Sequence, residues 1–256
     1  VTGSIEDAAR ASFSARAEHY VTSATHADPD RLAHLVDLVG PRPGWRALDV
    51  GTGTGHTAFA FAPAVGWVVG VDLTEEMLRR AERVRKDRGY GNVELRVADV
   101  HHMPFAADEF DLVTCRRAAH HFSDIRRALG EMHRVLKPGG RLLIDDRASP
   151  DDDEVDEVLH RLDVLHDPSH VRQYRAGEWR DMLATAGFEV VALEEYEQHR
   201  PASEAFTNGV PQDRADQVHA LLRDLTPRQR DALDVREVDR ELYSNHFYVS
   251  VVADRR

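Results

Sequence analysis

The sequence predicts a parallel, doubly wound α/β sheet, and three features of the 256 residues lead there. Short apolar strands alternate with helical runs from Ala47 onward, a glycine-rich loop joins the first strand to the first helix, and aspartates close several strands. Alternation at this spacing places helices on both faces of a parallel sheet, whose ligand then belongs at the carboxyl ends of the strands. With 42% hydrophobic residues the chain suits one α/β domain with additions at its ends, and two compact domains would be cramped.

The elements follow in order. Phe13, Ala17 and Tyr20 share one helical face. In DPDRLAHLVDLVG, Asp28 is the expected N-cap, Pro29 opens the first turn, Leu32, Leu35, Val36 and Val39 form the apolar stripe, and Gly40 is the stop. A strand begins at Ala47, and WVVGVD (67–72) is the second. Thr74 is the expected cap of a helix carrying Met77, Leu78, Ala81 and Val84, which Gly89 ends. VELRVAD, ending at Asp99, and FDLVTC, ending at Cys115, are the third and fourth strands. A helix capped by Ser123 buries Ile125, Leu129, Met132 and Val135, and RLLIDD is the fifth strand. Beyond Pro150 come a helix opened by the acidic run DDDEVDEV, a helix over AGEWRDMLATAG, and strands at FEVVALEEY and NHFYVSVVAD. Between those last strands, helical patches near 213–225 and 227–238 read as an insertion. The expected organisation is one domain: a helical cap over 1–43, a cofactor-binding core over 44–150, and a part over 151–256 with an insertion at about 197–243.

Composition narrows the function. A net charge of -12 with interspersed signs repels phosphate backbones, so nucleic acid is not an expected partner. No stretch approaches the roughly 20 apolar residues of a membrane span. The first residues lack a hydrophobic signal core, so a cytoplasmic protein is expected. The single cysteine, Cys115, excludes an internal disulfide framework and a cysteine-rich zinc site.

ALDVGTGTGHTAFAF carries the chemistry. Glycines ahead of a helix permit positive φ and remove side chains that would hold a ligand away from backbone N–H groups. A dinucleotide fingerprint is G-x-G-x-x-G, whereas Gly51, Gly53 and Gly55 make G-x-G-x-G and His56 takes the place of the third glycine. Asp72, about 20 residues on, stands where a carboxylate accepts from both ribose hydroxyls, and Asp99 where one accepts from an adenine amine. Asp49, placed in the loop, repels a pyrophosphate and attracts a cationic amino-acid portion. These charges fit S-adenosylmethionine, which has a sulfonium, an ammonium and no phosphate.

In order and spacing, ALDVGTGTG, VDLTEEML, VADVHHMPF, FDLVTCRRAAHHF and VLKPGGRLLI resemble the successive motifs of class I S-adenosylmethionine-dependent methyltransferases. The type 11 group, which includes the ubiquinone/menaquinone C-methyltransferases, is the nearest in pattern. The likeness is strong over 43–146, and DPSHVRQY (167–174) resembles a stretch in a bacterial subgroup of small members. The resemblance implies a Rossmann-like sheet of seven strands, mostly parallel with the last antiparallel, and helical lid additions at both ends. It implies that Gly51, Thr52, Gly53 and Gly55 line the methionine portion and that Asp72 binds ribose. Leu73 and Met77 would flank the adenine, Ala98, Asp99 and Val100 would surround its amine, and Tyr20 and His26 would close over the cofactor. The implied activity is in-line methyl transfer to a small-molecule acceptor, leaving S-adenosylhomocysteine.

Other residues keep two readings. Met77 lies on the buried stripe of its helix and is as well a core residue. Arg116 and Arg117 leave the fourth strand and either line the site, where Arg116 is counted with the cofactor residues, or reach solvent. His120 and His121 follow them, near where an acceptor meets the methyl group. Either is a candidate general base, as is His26, or a capping or packing residue. Their adjacency points them apart, and no carboxylate–histidine spacing accompanies them, so no metal is expected. The sequence names neither the acceptor nor the oligomeric state.

Overall fold

Ala47, Leu48 and Val50 of β1 (Arg46–Val50) are all buried, although alternate residues of a strand face opposite sides. A strand apolar on both sides must be covered on both, and it lies in the middle of the sheet. The computed structural model describes residues 6, 7, 10 and 26–256. Phe13, Ala17 and the cofactor candidate Tyr20 lie outside them.

Ahead of β1 is α1 (Pro29–Val39), where Asp28 accepts from the N–H groups of Asp30 and Arg31 and Gly40 ends the helix in the left-handed region. Then follow α2 (His56–Phe61), β2 (Trp67–Asp72), α3 (Glu75–Arg88), β3 (Val93–Val97), β4 (Phe110–Arg116), α4 (Ile125–Val135) and β5 (Leu136–Arg147). After these come α5 (Asp153–His166), α6 (Ala176–Thr185), β6 (Phe188–Pro201), α7 (Ala202–Ala205), α8 (Gln212–Arg223), α9 (Pro227–Ala232), β7 (Arg236–Val238) and β8 (Glu241–Arg255).

The strands lie in the order β3-β2-β1-β4-β5-β8-β6, with β7 paired to β8. β1 to β5 run parallel, and β8 runs antiparallel between β5 and β6. One face packs Leu48, Val50, Val113 and Ile144 against Leu129 and Met132 of α4 and Trp179 of α6. The other packs Ala47, Val68 and Leu112 against Leu35 of α1, Phe59 of α2 and nearby side chains. A third core joins Val158 and Leu162 of α5 to Val218 and Leu222 of α8. Strand order reverses between β1 and β4, and the loops after those strands diverge there to open a crevice. No helix among the described residues is long and apolar enough to cross a membrane.

Three local expectations change. The helix expected over 227–238 stops at Ala232, and β7 adds an eighth, short strand to the expected seven. Asp239 and Arg240, with φ of 51° and 70°, form the two-residue turn into β8, a geometry that matches strand twist and outcompetes further helix. β6 and β8 pair from Phe188↔Arg255 to Pro201↔Tyr243, so the helical segment between them begins at Ala202 rather than near 197. The α4 cap is Asp124, which accepts from the Arg127 N–H; Ser123 instead donates its hydroxyl to the Glu6 carboxylate.

Candidate functional site

A cleft of about 1030 Å³, open mouth included, lies over the carboxyl ends of β1 to β4. Its floor is the loop after β1. Gly51, Gly53 and Gly55 have φ of 65°, 54° and 91°. A Cβ on Gly51 would stand 2.5 Å from that of Ala118, whereas one on Gly53 would meet open space. Thr52 donates its N–H to Val71 O at 2.9 Å, which ties the loop to β2.

Two loop residues do not take their expected places. Gly55 is not on the cleft wall: it begins α2 in the left-handed region, and a Cβ there would run into the Phe59 ring at 2.4 Å. Asp49 is buried in β1 beneath the loop and does not face the cleft. It accepts the hydroxyls of Thr52 and Thr114, both at 2.6 Å, and its burial pushes its carboxyl up to about 6. A carboxylate on a central strand is enclosed by its neighbours, so Asp49 fixes the loop and does not present charge to a ligand.

Asp72 and Asp99 do face the cleft. Asp72 accepts from the N–H of Gly53 through Oδ2 and from that of Thr74 through Oδ1, both at 2.8 Å, and burial raises its carboxyl. Each of its oxygens retains a second lone pair. Asp99 caps the short turn Val100–His102, and both of its hydrogen bonds, from the His101 N–H and ring Nδ1 at 2.8 Å, fall on Oδ1. Leu73, Met77, Ala98 and Val100 line the wall between these acids. Met77 is only 3% exposed, so its core and lining roles coincide.

The opposite end is basic. Arg116, Arg117, His26 and His121 line it, with Phe122 and Glu6. Neither arginine reaches solvent: their side chains are 2% and 8% exposed. Arg116 donates to Asp145 at 3.2 Å and to His26 O at 3.0 Å. Arg117, at φ 53°, lays its guanidinium 3.7 Å over the Tyr248 ring and pairs with Asp145 at 3.6 Å. Arg31 of α1 reaches the same carboxylate at 2.8 Å. Burial alone would raise Asp145, but Arg117, Arg116 and Arg31 bring it down to about 2. Burial, then Arg116, keep His26 well below the usual histidine range and hence neutral.

The two adjacent histidines separate. His120 is buried, does not face the cleft, and binds Asp146 through its N–H at 3.0 Å and its ring Nδ1 at 2.6 Å. Burial, then His121, hold it well below the usual range. Of the two candidate bases only His121 is on the cleft wall. Glu6, Thr54, His56, His101, Ala118 and Phe122 also line the cleft, and the sequence does not mark them as ligand contacts. His56 stands out there only as a break in the glycine pattern and His101 only as half of a histidine pair; Ala118 and Phe122 carry no chemical signal at all. Among the described residues no group of three or more His, Cys, Asp or Glu side chains is placed to hold a metal ion.

Fold and cleft together define a doubly wound α/β protein with an open cleft at the switch point between β1 and β4. The family model described as a methyltransferase domain matches residues 41–187. The uncharacterized methyltransferase YcgJ of Bacillus subtilis is 37% identical over 220 residues, 86% of this chain and 87% of its own. Its crystal structure superposes with a TM-score of 0.82 at 33% identity, over 89% of this chain and 98% of that one. The ubiquinone/menaquinone biosynthesis C-methyltransferase UbiE of Teredinibacter turnerae is 37% identical over 136 residues, 51% of this chain and 55% of its own. The chain belongs to the methyltransferase domain family.

Proposed function

We propose that the cleft binds S-adenosylmethionine and that the protein, as a class I enzyme, transfers its methyl group in line to a small-molecule acceptor. One observation carries the reading: Asp72 and Asp99 converge on a wall shared with Gly51 and Gly53, whose positive φ keeps the backbone open to a ligand. Open space at the Gly53 Cβ position and the spare lone pairs of Asp72 suit a nucleoside with hydroxyls to donate. The match to UbiE, named as a C-methyltransferase of ubiquinone/menaquinone biosynthesis, favours a small acceptor.

In this reading Asp72 holds the ribose and Asp99 the adenine amine, Leu73 and Met77 flank the base, and Gly51, Thr52 and Gly53 line the amino-acid portion. S-adenosylmethionine supplies a methyl carbon already activated by its sulfonium. The protein's task is then to align the acceptor and exclude water. The arginine end of the cleft shapes the acceptor's place. The test is calorimetry with S-adenosylhomocysteine, followed by incubation of S-adenosylmethionine with small acceptors. Heat of binding and accumulation of S-adenosylhomocysteine are expected. Saturable binding with no S-adenosylhomocysteine formed from any acceptor would leave the fold a binding or non-methylating role.

A further inference from the structure

We propose that the acceptor is a small organic acid and that Arg117 binds its acidic group at the basic end of the cleft. This rests on the reading of the cleft as a methyl-transfer site.

Arg117 is a buried cation without a hydrogen-bonded carboxylate of its own. A guanidinium has five N–H donors, and burying it is costly unless they meet acceptors and its charge is paired. Of the three arginines around Asp145, Arg31 donates to Oδ1 at 2.8 Å and Arg116 to Oδ2 at 3.2 Å. Oδ1 also accepts the hydroxyls of Tyr196 at 3.0 Å and Ser250 at 2.7 Å. Four donors thus share the carboxylate, three of them on Oδ1. Arg117 Nε stays 3.6 Å from Oδ2, too far for a hydrogen bond, and is buried without one.

The side chain is nevertheless held in place. Nη2 donates to the Tyr196 hydroxyl at 3.1 Å, and the guanidinium carbon lies 3.7 Å from the centre of the Tyr248 ring, which stacks on that of Tyr196. The Arg117 N–H donates to Asp145 O at 2.8 Å, and its φ of 53° is a conformation that an arginine seldom adopts. A cation is thereby fixed on the cleft wall in advance of a ligand, so little rotamer entropy remains to be lost on binding.

The charges of the cleft point the same way. Among the described residues, Glu6 is the one acid at this end of the wall, and it accepts the Ser123 hydroxyl; Asp72 and Asp99 stand at the other end. S-adenosylmethionine brings a sulfonium and an ammonium against one carboxylate, so its arrival leaves the cleft more cationic. An anionic acceptor gains Coulomb energy in such a desolvated place and supplies the oxygens that Arg117 lacks. A cationic acceptor is repelled. Carboxylates and phosphate monoesters both offer two oxygens to the guanidinium fork.

The experiment is calorimetry on the full chain saturated with S-adenosylhomocysteine, at neutral pH and fixed ionic strength. Benzoate, hydroxybenzoates, phenylacetate, short aliphatic carboxylates and phenyl phosphate are each titrated beside the corresponding neutral amide or alcohol. At least one acid is expected to bind about 10-fold or more tightly than its neutral counterpart, and the two series show which oxyacid fits. Arg117→Gln should remove that preference, and Arg117→Lys, which keeps the charge but not the fork, should retain part of it. Asp145 keeps Arg31 and Arg116 in both variants, and circular dichroism verifies their fold. S-adenosylhomocysteine itself should bind Arg117→Gln within about threefold of the wild type. No acid preferred over its neutral counterpart overturns the proposal, a comparison that needs only the wild type. A preference that survives Arg117→Gln overturns the assignment of Arg117. A loss of S-adenosylhomocysteine affinity as large as the loss for the acids assigns Arg117 to the cofactor's own carboxylate and likewise overturns it. Failure of the wild type to bind S-adenosylhomocysteine removes the underlying reading itself and is seen separately.

Discussion

Replacing Asp72 by Asn separates what this carboxylate does for the loop from what it does for a ligand. Asp72 gives one oxygen to the Gly53 N–H and the other to the Thr74 N–H. Asparagine has only one acceptor oxygen, so one N–H is left facing an amide NH₂. A hydrogen bond to a charged group contributes about 1.5–3 kcal/mol, and the folded state should lose about that much. A ribose hydroxyl loses a charged acceptor as well, for a further loss of similar size. At about 1.4 kcal/mol per factor of ten, this weakens S-adenosylhomocysteine roughly 10- to 150-fold. Thermal denaturation reads the first effect and calorimetry the second. Burial raises the Asp72 carboxyl, so acidification should imitate the substitution: wild-type affinity should fall as the pH drops towards that raised value, while Asp72→Asn stays flat. A variant that melts earlier yet binds within threefold of the wild type would show that Asp72 supports only the loop, and the ribose assignment would be refuted.

Three further outcomes are expected. Gly51→Ala combines a φ of 65° with a 2.5 Å approach to Ala118 and should cost about 2–5 kcal/mol in denaturant melts. Gly53→Ala, in open space, should cost only about 1–2 kcal/mol. Asp145→Asn leaves three arginines around a neutral group and should destabilise by about 3–5 kcal/mol near neutral pH. The Asp145 carboxyl is lowered to about 2, so its contribution is present above the ordinary carboxylate value and lost as the pH falls through about 2; urea melts should show the variant's deficit shrinking there. Asp49→Asn has the opposite sign. The Asp49 carboxyl is raised to about 6, so the native state favours its protonated form and loses stability as the pH rises through about 6. Relative to the wild type, the variant should gain about 1–2 kcal/mol between pH ~5 and ~8 in paired melts.

Features that depend on near neighbours are legible in the amino-acid order. Asp28 and Gly40 bound α1 because a cap needs only a short side chain or a permitted φ within one turn. The first five strands follow from apolar runs too short for helices, and the glycine loop with Asp72 and Asp99 follows from the ends of three of them. Asp49 escapes such reasoning because distance along the chain from the loop does not say on which side of the backbone a strand residue lies. β7 reads as helix because the residues ahead of Asp239 have no strand pattern of their own; it forms by pairing with β8.

The order of strand and loop, the glycine geometry and the two cleft-facing acids are therefore set by the sequence alone, since each depends on neighbours within a few residues or on one strand end. The choice between His120 and His121 is decided only by tertiary structure. In a tight turn the two rings diverge, and the partners that turn one inward and the other towards the cleft, Asp146 and Ser169, come from β5 and from the loop after α5. The arginine end of the cleft has the same origin. Arg31, Arg116 and Arg117 meet at Asp145 because α1, β4 and β5 converge there. Buried charges demand such partners, yet nothing in their local sequence says which distant residue supplies them.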